Sequence, residues 1–333
     1  MKKKGQVGIV ALVLIILIVL VAGLIIWNIV VPLVRERGER VERSENVLLV
    51  DLDVKEAVLL ETGPLWVSVN RKTGGAIDEL KFVFYDQNGE SYVESKKDTL
   101  GELETRTYHF SSIPDVGKIE KVSVFPVFEG QTGREFETEA GKVLEVPDSL
   151  VSWWRLDDGS DIMGINPGIV EGSVSFVDDS RGKVASFSGG HINVGNHESL
   201  NINEEIAISM WIKGSSGSII KKSDGNKNYE VSLNSGRKVV FSYTEGGVLR
   251  EITSIDSVGS EWTHLVVSVD WSGVYKIYIN GEEDIFGTLS EVPDTNEDNV
   301  LIGQGFQGSI DEVMMFNESL PIGQPEALYN HQK

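Results

Sequence analysis

From Gln6 to Val34 the chain carries no charged residue, and nearly every side chain from Val7 to Val31 is aliphatic. As an α-helix rising about 1.5 Å per residue, that run reaches roughly 35 Å, enough to cross a bilayer core about 30 Å thick. Lipid offers no partner for a bare backbone amide, so a helix is the default for a segment of this kind. A cleaved secretory signal has a shorter apolar core and a small-residue exit. This run instead leaves through Asn28, Pro32 and Arg35. Residues 1–34 are therefore expected to form a single-pass membrane anchor that meets lipid through 7–31. The flanking basic residues are balanced, Lys2, Lys3 and Lys4 against Arg35, Arg37, Arg40 and Arg43. Charge asymmetry alone therefore leaves the orientation open.

Residues 35–45 read R-E-R-G-E-R-V-E-R-S-E, a charged stalk whose Glu and Arg residues fall at helical spacing, with Gly38 as the expected break. Beyond it, a chain of 333 residues leaves room for two domains. With no cysteine there is neither a disulfide framework nor a thiolate metal site. A formal charge of −21 works against nucleic acid and anionic lipid headgroups, and it favours solubility. Abundant glycine, with almost no helix-period apolar pattern after residue 46, points to an all-β head.

Residues 46–146 are expected to be a small β-sandwich of about seven strands. Leu80, Phe82 and Phe84 share one face of an alternating run, and Asn88-Gly89 reads as the hairpin turn after it. Pro126 marks an edge or a bulge. Trp66 and Tyr92 are expected in the core. Glu145-Val146-Pro147-Asp148-Ser149 is the domain boundary, and a second module occupies 148–333. There Ile206, Ile208, Met210 and Ile212 alternate, as do the residues of His264–Asp270 and Tyr275–Ile279. Asn280-Gly281 fits a type I′ turn, in which both central residues take positive φ. Two stacked antiparallel sheets of roughly twelve strands would bury such faces.

Tests for catalysis fail on chemistry. Gly303-Gln304-Gly305-Phe306-Gln307-Gly308 spells a dinucleotide fingerprint, but a strand is expected after it, so no helix N-terminus meets a pyrophosphate. The five histidines, His109, His191, His197, His264 and His331, make no recognisable ligand cluster. Asp311 and Glu312 are neighbours in a strand, so their side chains are expected to leave opposite faces and not to act as a pair. The acidic loops around Asp224 and Asp294 have turn composition without EF-hand spacing. The chain is not expected to be an enzyme.

Two resemblances sharpen this reading. Lys2-Lys3-Lys4-Gly5-Gln6, ahead of the apolar run, resembles the class III signal of archaeal type IV pilins and archaellins. That resemblance implies a cut between Gly5 and Gln6 on the cytoplasmic side, a head outside the cell membrane, and self-association through the apolar helix. The chain departs from it at Val10, where many pilins carry Glu.

The second module resembles the laminin G-like, concanavalin A-like jelly rolls. The match runs through Trp154-x-Leu156-Asp157-Asp158, Gly182–Gly189, Ser209–Lys213, Trp262–Leu265, Tyr278–Glu282 and Gly308–Asn317, with a short closing helix over Leu320–Tyr329. The resemblance implies binding of a glycan or glycoprotein, in adhesion or recognition. It also implies a calcium ion, with Asp157, Asp311 and the backbone near Gly189 as ligands. Trp153 and Trp271 are the expected surface aromatics for a sugar, and Asn317-Glu318-Ser319 is a glycosylation sequon. A pilin-like filament subunit is the alternative, and a glycoside hydrolase a more distant one because the family's clustered strand carboxylates are missing.

Overall fold

The computed structural model describes residues 50–333 apart from 62, 98, 112, 114–117, 129–130, 138–142, 224 and 291. The expected membrane segment, the expected Gly5–Gln6 cut and the expected stalk lie outside the described residues. Among the described residues no helix is long and apolar enough to cross a membrane. They form two compact units, the first comprising 50–57, 66–109 and 113–143 and the second 58–65, 110–112 and 144–333.

The first nine strands are β1 (Asp51–Leu60), β2 (Leu65–Thr73), β3 (Glu79–Asp86), β4 (Ser91–Lys96), β5 (Thr105–Phe110), β6 (Ile119–Phe128), β7 (Gln131–Thr132), β8 (Phe136–Glu137) and β9 (Leu144–Val146). They make a sheet ordered β5-β2-β1-β9 and another ordered β4-β3-β6-β7, with β8 also on β6. Leu80, Phe82 and Phe84 are fully buried, as their alternation predicts, and the Phe82 ring lies 4.9 Å from that of Tyr108. Trp66 is buried too, whereas Tyr92 is only half-buried on β4. Pro126 lies opposite Leu80, between the stretches of β6 that pair with β8 and with β7, and its carbonyl accepts from the Gly133 N–H at 2.7 Å.

The second unit holds fifteen further strands. They are β10 (Leu150–Trp154), β11 (Ile169–Glu171), β12 (Val174–Asp179), β13 (Gly182–Ser188), β14 (His191–Gly195), β15 (Glu205–Gly214), β16 (Gly217–Ser223) and β17 (Lys227–Leu233). After these come β18 (Lys238–Glu245), β19 (Val248–Ser257), β20 (Thr263–Asp270), β21 (Val274–Ile279), β22 (Glu282–Thr288), β23 (Val300–Ile302) and β24 (Gln307–Phe316). One helix, α1 (Gln324–Gln332), follows with Pro325 in its first turn. One sheet runs β12-β13-β24-β15-β20-β21-β22 with β10 also on β24, and the other runs β11-β14-β23-β16-β17-β18-β19.

The alternating residues do what their period requires. Ile206, Ile208, Met210 and Ile212 from β15 join Leu265, Val267 and Val269 from β20, and across the sandwich Tyr229, Val231, Phe241 and Tyr243 close one core. Each such side chain contributes roughly 1.5–3 kcal/mol by leaving water. Asn280 (φ 53°) and Gly281 (φ 82°) both take the left-handed conformation of a type I′ turn between β21 and β22. After Gly303 (φ 78°) and Gly305 (φ 75°) the chain enters β24, so the glycine motif is a turn leading into a strand.

Candidate functional site

The chemistry concentrates where β24 changes partner. Residues 307–310 of β24 pair with β13, and residues 313–316 pair with β10. Between these stretches β24 carries a bulge. From Trp211–Asp311 to Ser209–Met314, β15 advances two residues and β24 three. Glu312 absorbs the extra residue at φ 51°. Ile310, Val313 and Met315 face the core, and the two acids lie outside it side by side. This corrects the expectation that Asp311 and Glu312 leave opposite faces: strict alternation fails at a bulge.

Each acid receives an arginine from one of the strands that part there. Arg181, at the turn before β13, places Nε 2.8 Å from Asp311 Oδ2, and Arg155, just after β10, places Nε 3.4 Å from Glu312 Oε1. Trp153 Nε1 donates to Glu312 Oε2 at 2.5 Å. Arg181 also lies 3.9 Å from the centroid of the Trp211 ring and donates to the Gln332 carbonyl at 2.9 Å. Trp211 in turn stacks on Tyr329 (5.7 Å) and meets His264 (5.2 Å), so α1 closes over this patch.

Burial, and then the adjacent Glu312 carboxylate, push Asp311 up to about 8 against the pull of Arg181. Burial raises Glu312 as well, opposed by Arg155 and the Trp153 N–H. His264, whose Nε2 lies 2.9 Å from Ser209 Oγ, is held neutral, burial and then Arg181 lowering it to about 3.

Beside this cluster is a more open rim. Asp179, at the end of β12, accepts from Trp262 Nε1 at 2.7 Å and from the Ser180 hydroxyl at 2.7 Å, and Lys213 Nζ lies 3.5 Å from its other oxygen. The Trp262 N–H, followed by the Ser180 hydroxyl, lowers Asp179 to about 2. Arg181 sits 5.6 Å from the Trp262 ring centroid, joining rim to cluster. The half-buried Trp262 indole is thus fixed at its N–H, with a carboxylate and an ammonium beside it.

The tryptophans selected from the sequence lie elsewhere. Trp153 and Trp271, expected at the surface, are each only 1% exposed. Trp153 is pinned by Glu312, and its backbone N–H donates to Asp161. Trp271 lies in the core, 4.8 Å from Tyr243 and 5.8 Å from Phe241. Neither offers a face to a sugar.

The residues implied for calcium do not converge. Asp157 and Asp311 share one electrostatic neighbourhood with Arg155 and Arg181, which already supply two positive charges. Gly189 follows Ser188, the partner of Gln307, at the far end of β13. At about 3.3 Å per residue that is on the order of 15 Å from Asp311, whereas calcium ligands lie about 2.3–2.6 Å from the ion. These residues do not fit a shared calcium site. Asn317 is exposed just past β24, and the backbone N–H and hydroxyl of Ser319, third in its sequon, both donate to Glu205.

Residues 187–322 match the family described as the concanavalin A-like lectin/glucanases superfamily, Laminin_G_3. The C-terminal part of the chain is a concanavalin A-like jelly-roll domain. Solved structures similar to it include the binding domain of Paraclostridial Mosquitocidal Protein 1, at 20% identity and TM-score 0.47, over 55% of this chain and 52% of that one. The binding domain of Botulinum Neurotoxin DC matches at 18% identity and TM-score 0.47, over 56% and 52%, in complexes with SialylT and with rat synaptotagmin II. The chain spans about half the length of these structures. No curated protein matches its sequence.

Proposed function

We propose that this chain is a cell-surface protein, anchored by residues 7–31, whose jelly-roll domain binds glycan or glycoprotein outside the membrane. The observation that carries the reading is the Trp262 rim. A half-buried indole with its N–H tied to Asp179 and Lys213 alongside is a pre-oriented platform for an apolar sugar face, with polar groups placed for hydroxyls. The apolar run from Gln6 to Val34 supports the anchor and makes lateral self-association through the helix a further expectation. The burial of the acid pair supports a non-catalytic role. Asp311 and Glu312 are enclosed by Arg181, Arg155 and Trp153, beyond the reach of a substrate.

The test is a glycan array probed with the detergent-solubilised chain and with Trp262→Ala. Retention of one glycan class by wild type and its loss in the variant is the expected result. Equal binding by both, or by neither, overturns the assignment of the rim. Proteolytic shaving of intact cells tests the outside location, because a head on the inner side would survive it.

A further inference from the structure

A second arrangement, in the other sheet, has the parts of a bond-forming site. Val300, the first residue of β23, is flanked in register by Gly195 of β14 on one side and Lys222 of β16 on the other. Asn196 follows Gly195 directly, so its amide and the Lys222 side chain meet around the end of β23. Lys222 is only 1% exposed although it is a lysine. Its Nζ bonds Asn196 Oδ1 and the Asp298 carbonyl, the latter at 2.7 Å. On the other side of the same amide, Asn196 Nδ2 donates to Glu297 Oε2 at 3.1 Å and to the Glu297 carbonyl at 3.0 Å.

The frame is built by its own bonds. Asn296 Nδ2 donates to the Lys222 carbonyl at 3.2 Å, and the Asp298 N–H donates to Asn296 Oδ1 at 3.1 Å. A buried amine, a carboxamide and a carboxylate on the amide nitrogen are thus held together by three separate segments.

We propose that Lys222 and Asn196 form an intramolecular isopeptide bond, with Glu297 as the proton carrier. The Nζ lone pair attacks Asn196 Cγ, and the Nζ–Cγ bond forms. Glu297 takes a proton from the attacking nitrogen and returns one to Nδ2, the Cγ–Nδ2 bond breaks, and ammonia leaves. Nothing is oxidised or reduced, and no co-reactant is needed. Burial lowers the Lys222 amine against the opposing pull of Glu297 and Asp298, which raises the share of the neutral nucleophile. The product would tie the strands on either side of β23 covalently, in a chain with no cysteine for a disulfide.

The test is peptide mapping by mass spectrometry of the full chain purified in detergent, alongside Lys222→Arg and Glu297→Gln. A branched peptide joining Asn196 to Lys222, short of one ammonia and uncut by trypsin at Lys222, is expected in wild type and absent from Lys222→Arg. Glu297→Gln, at an exposed position, should keep the wild-type melting temperature and release both linear peptides. Linear peptides from wild type, carrying free Lys222 and Asn196, overturn the bond. A branched peptide that persists in Glu297→Gln overturns the role given to that residue.

Discussion

Asp311→Asn isolates the energetics of the bulge. In the folded protein Asp311 holds its proton up to about 8, whereas the ordinary value is 3.8. For an acid raised by folding, the unfolded chain releases the proton first, so stability is full below 3.8 and falls as pH rises towards 8. From 3.8 to pH 7 is about three units, each worth about 1.4 kcal/mol, so the wild-type fold loses roughly 4 kcal/mol through this group. Asparagine keeps the shape and an oxygen for the Arg181 Nε–H but has no proton to lose. The variant should therefore be the more stable protein at pH 7–8, by up to roughly that amount, with a flatter pH profile. Glu312, raised by the same burial, leaves some slope behind. Denaturant unfolding followed by tryptophan fluorescence between pH 7.5 and 8.5 measures the difference, in a window where His264 is neutral in the fold and largely neutral in the unfolded chain. If the variant is instead less stable at pH 8 by about 3–5 kcal/mol, the cost of breaking a buried ion pair, Asp311 is an ionised partner of Arg181 and the reasoning fails.

Trp153→Phe removes the indole N–H from buried Glu312 and should cost about 1–3 kcal/mol, read as a lower denaturation midpoint; an unchanged midpoint would place that bond outside the stability of the fold. At Gly303 a Cβ would lie 2.2 Å from the Phe187 ring, at φ 78°, so Gly303→Ala should cost at least about 2 kcal/mol by thermal melting. His264 stays neutral in the fold down to about 3 while the unfolded imidazole charges near 6.5, so stability falls by about 1.4 kcal/mol per unit below pH 6.5 through this group. His264→Gln should remove that acid-side loss, leaving the smaller share of His331, which burial lowers to about 4. Trp262→Ala should abolish glycan retention while leaving the melting temperature within a few degrees, because the ring is only half-buried.

What could be read from the sequence divides along a physical line. Period-2 runs such as Ile206–Ile212 declare which side chains face one way, and Asn280-Gly281 declares its own backbone, because both signals are local. The stacked antiparallel sheets were legible for that reason, and so was the strand after Gly303, whereas the jelly roll itself came from the resemblance of the ordered motifs. What covers the outer face of a sheet is not local. Trp153 alternates with Trp154 as expected, yet it is buried, and Glu312 comes to it from β24, a strand that only the finished sheet places beside β10. Trp271 sits in turn-rich sequence, but its backbone N–H donates to the Glu204 carbonyl and its ring lies among Tyr243 and Phe241. The bulge at Glu312 is the sharpest case. It forms where β13 ends its pairing with β24 and β10 begins, a condition set by residues some 130 and 160 positions earlier in the chain. The motif around Asp311 could mark the place but not the pairing with Arg181. An acid pair that a strand's alternation forbids becomes possible only through the exchange of partners that the whole sheet imposes.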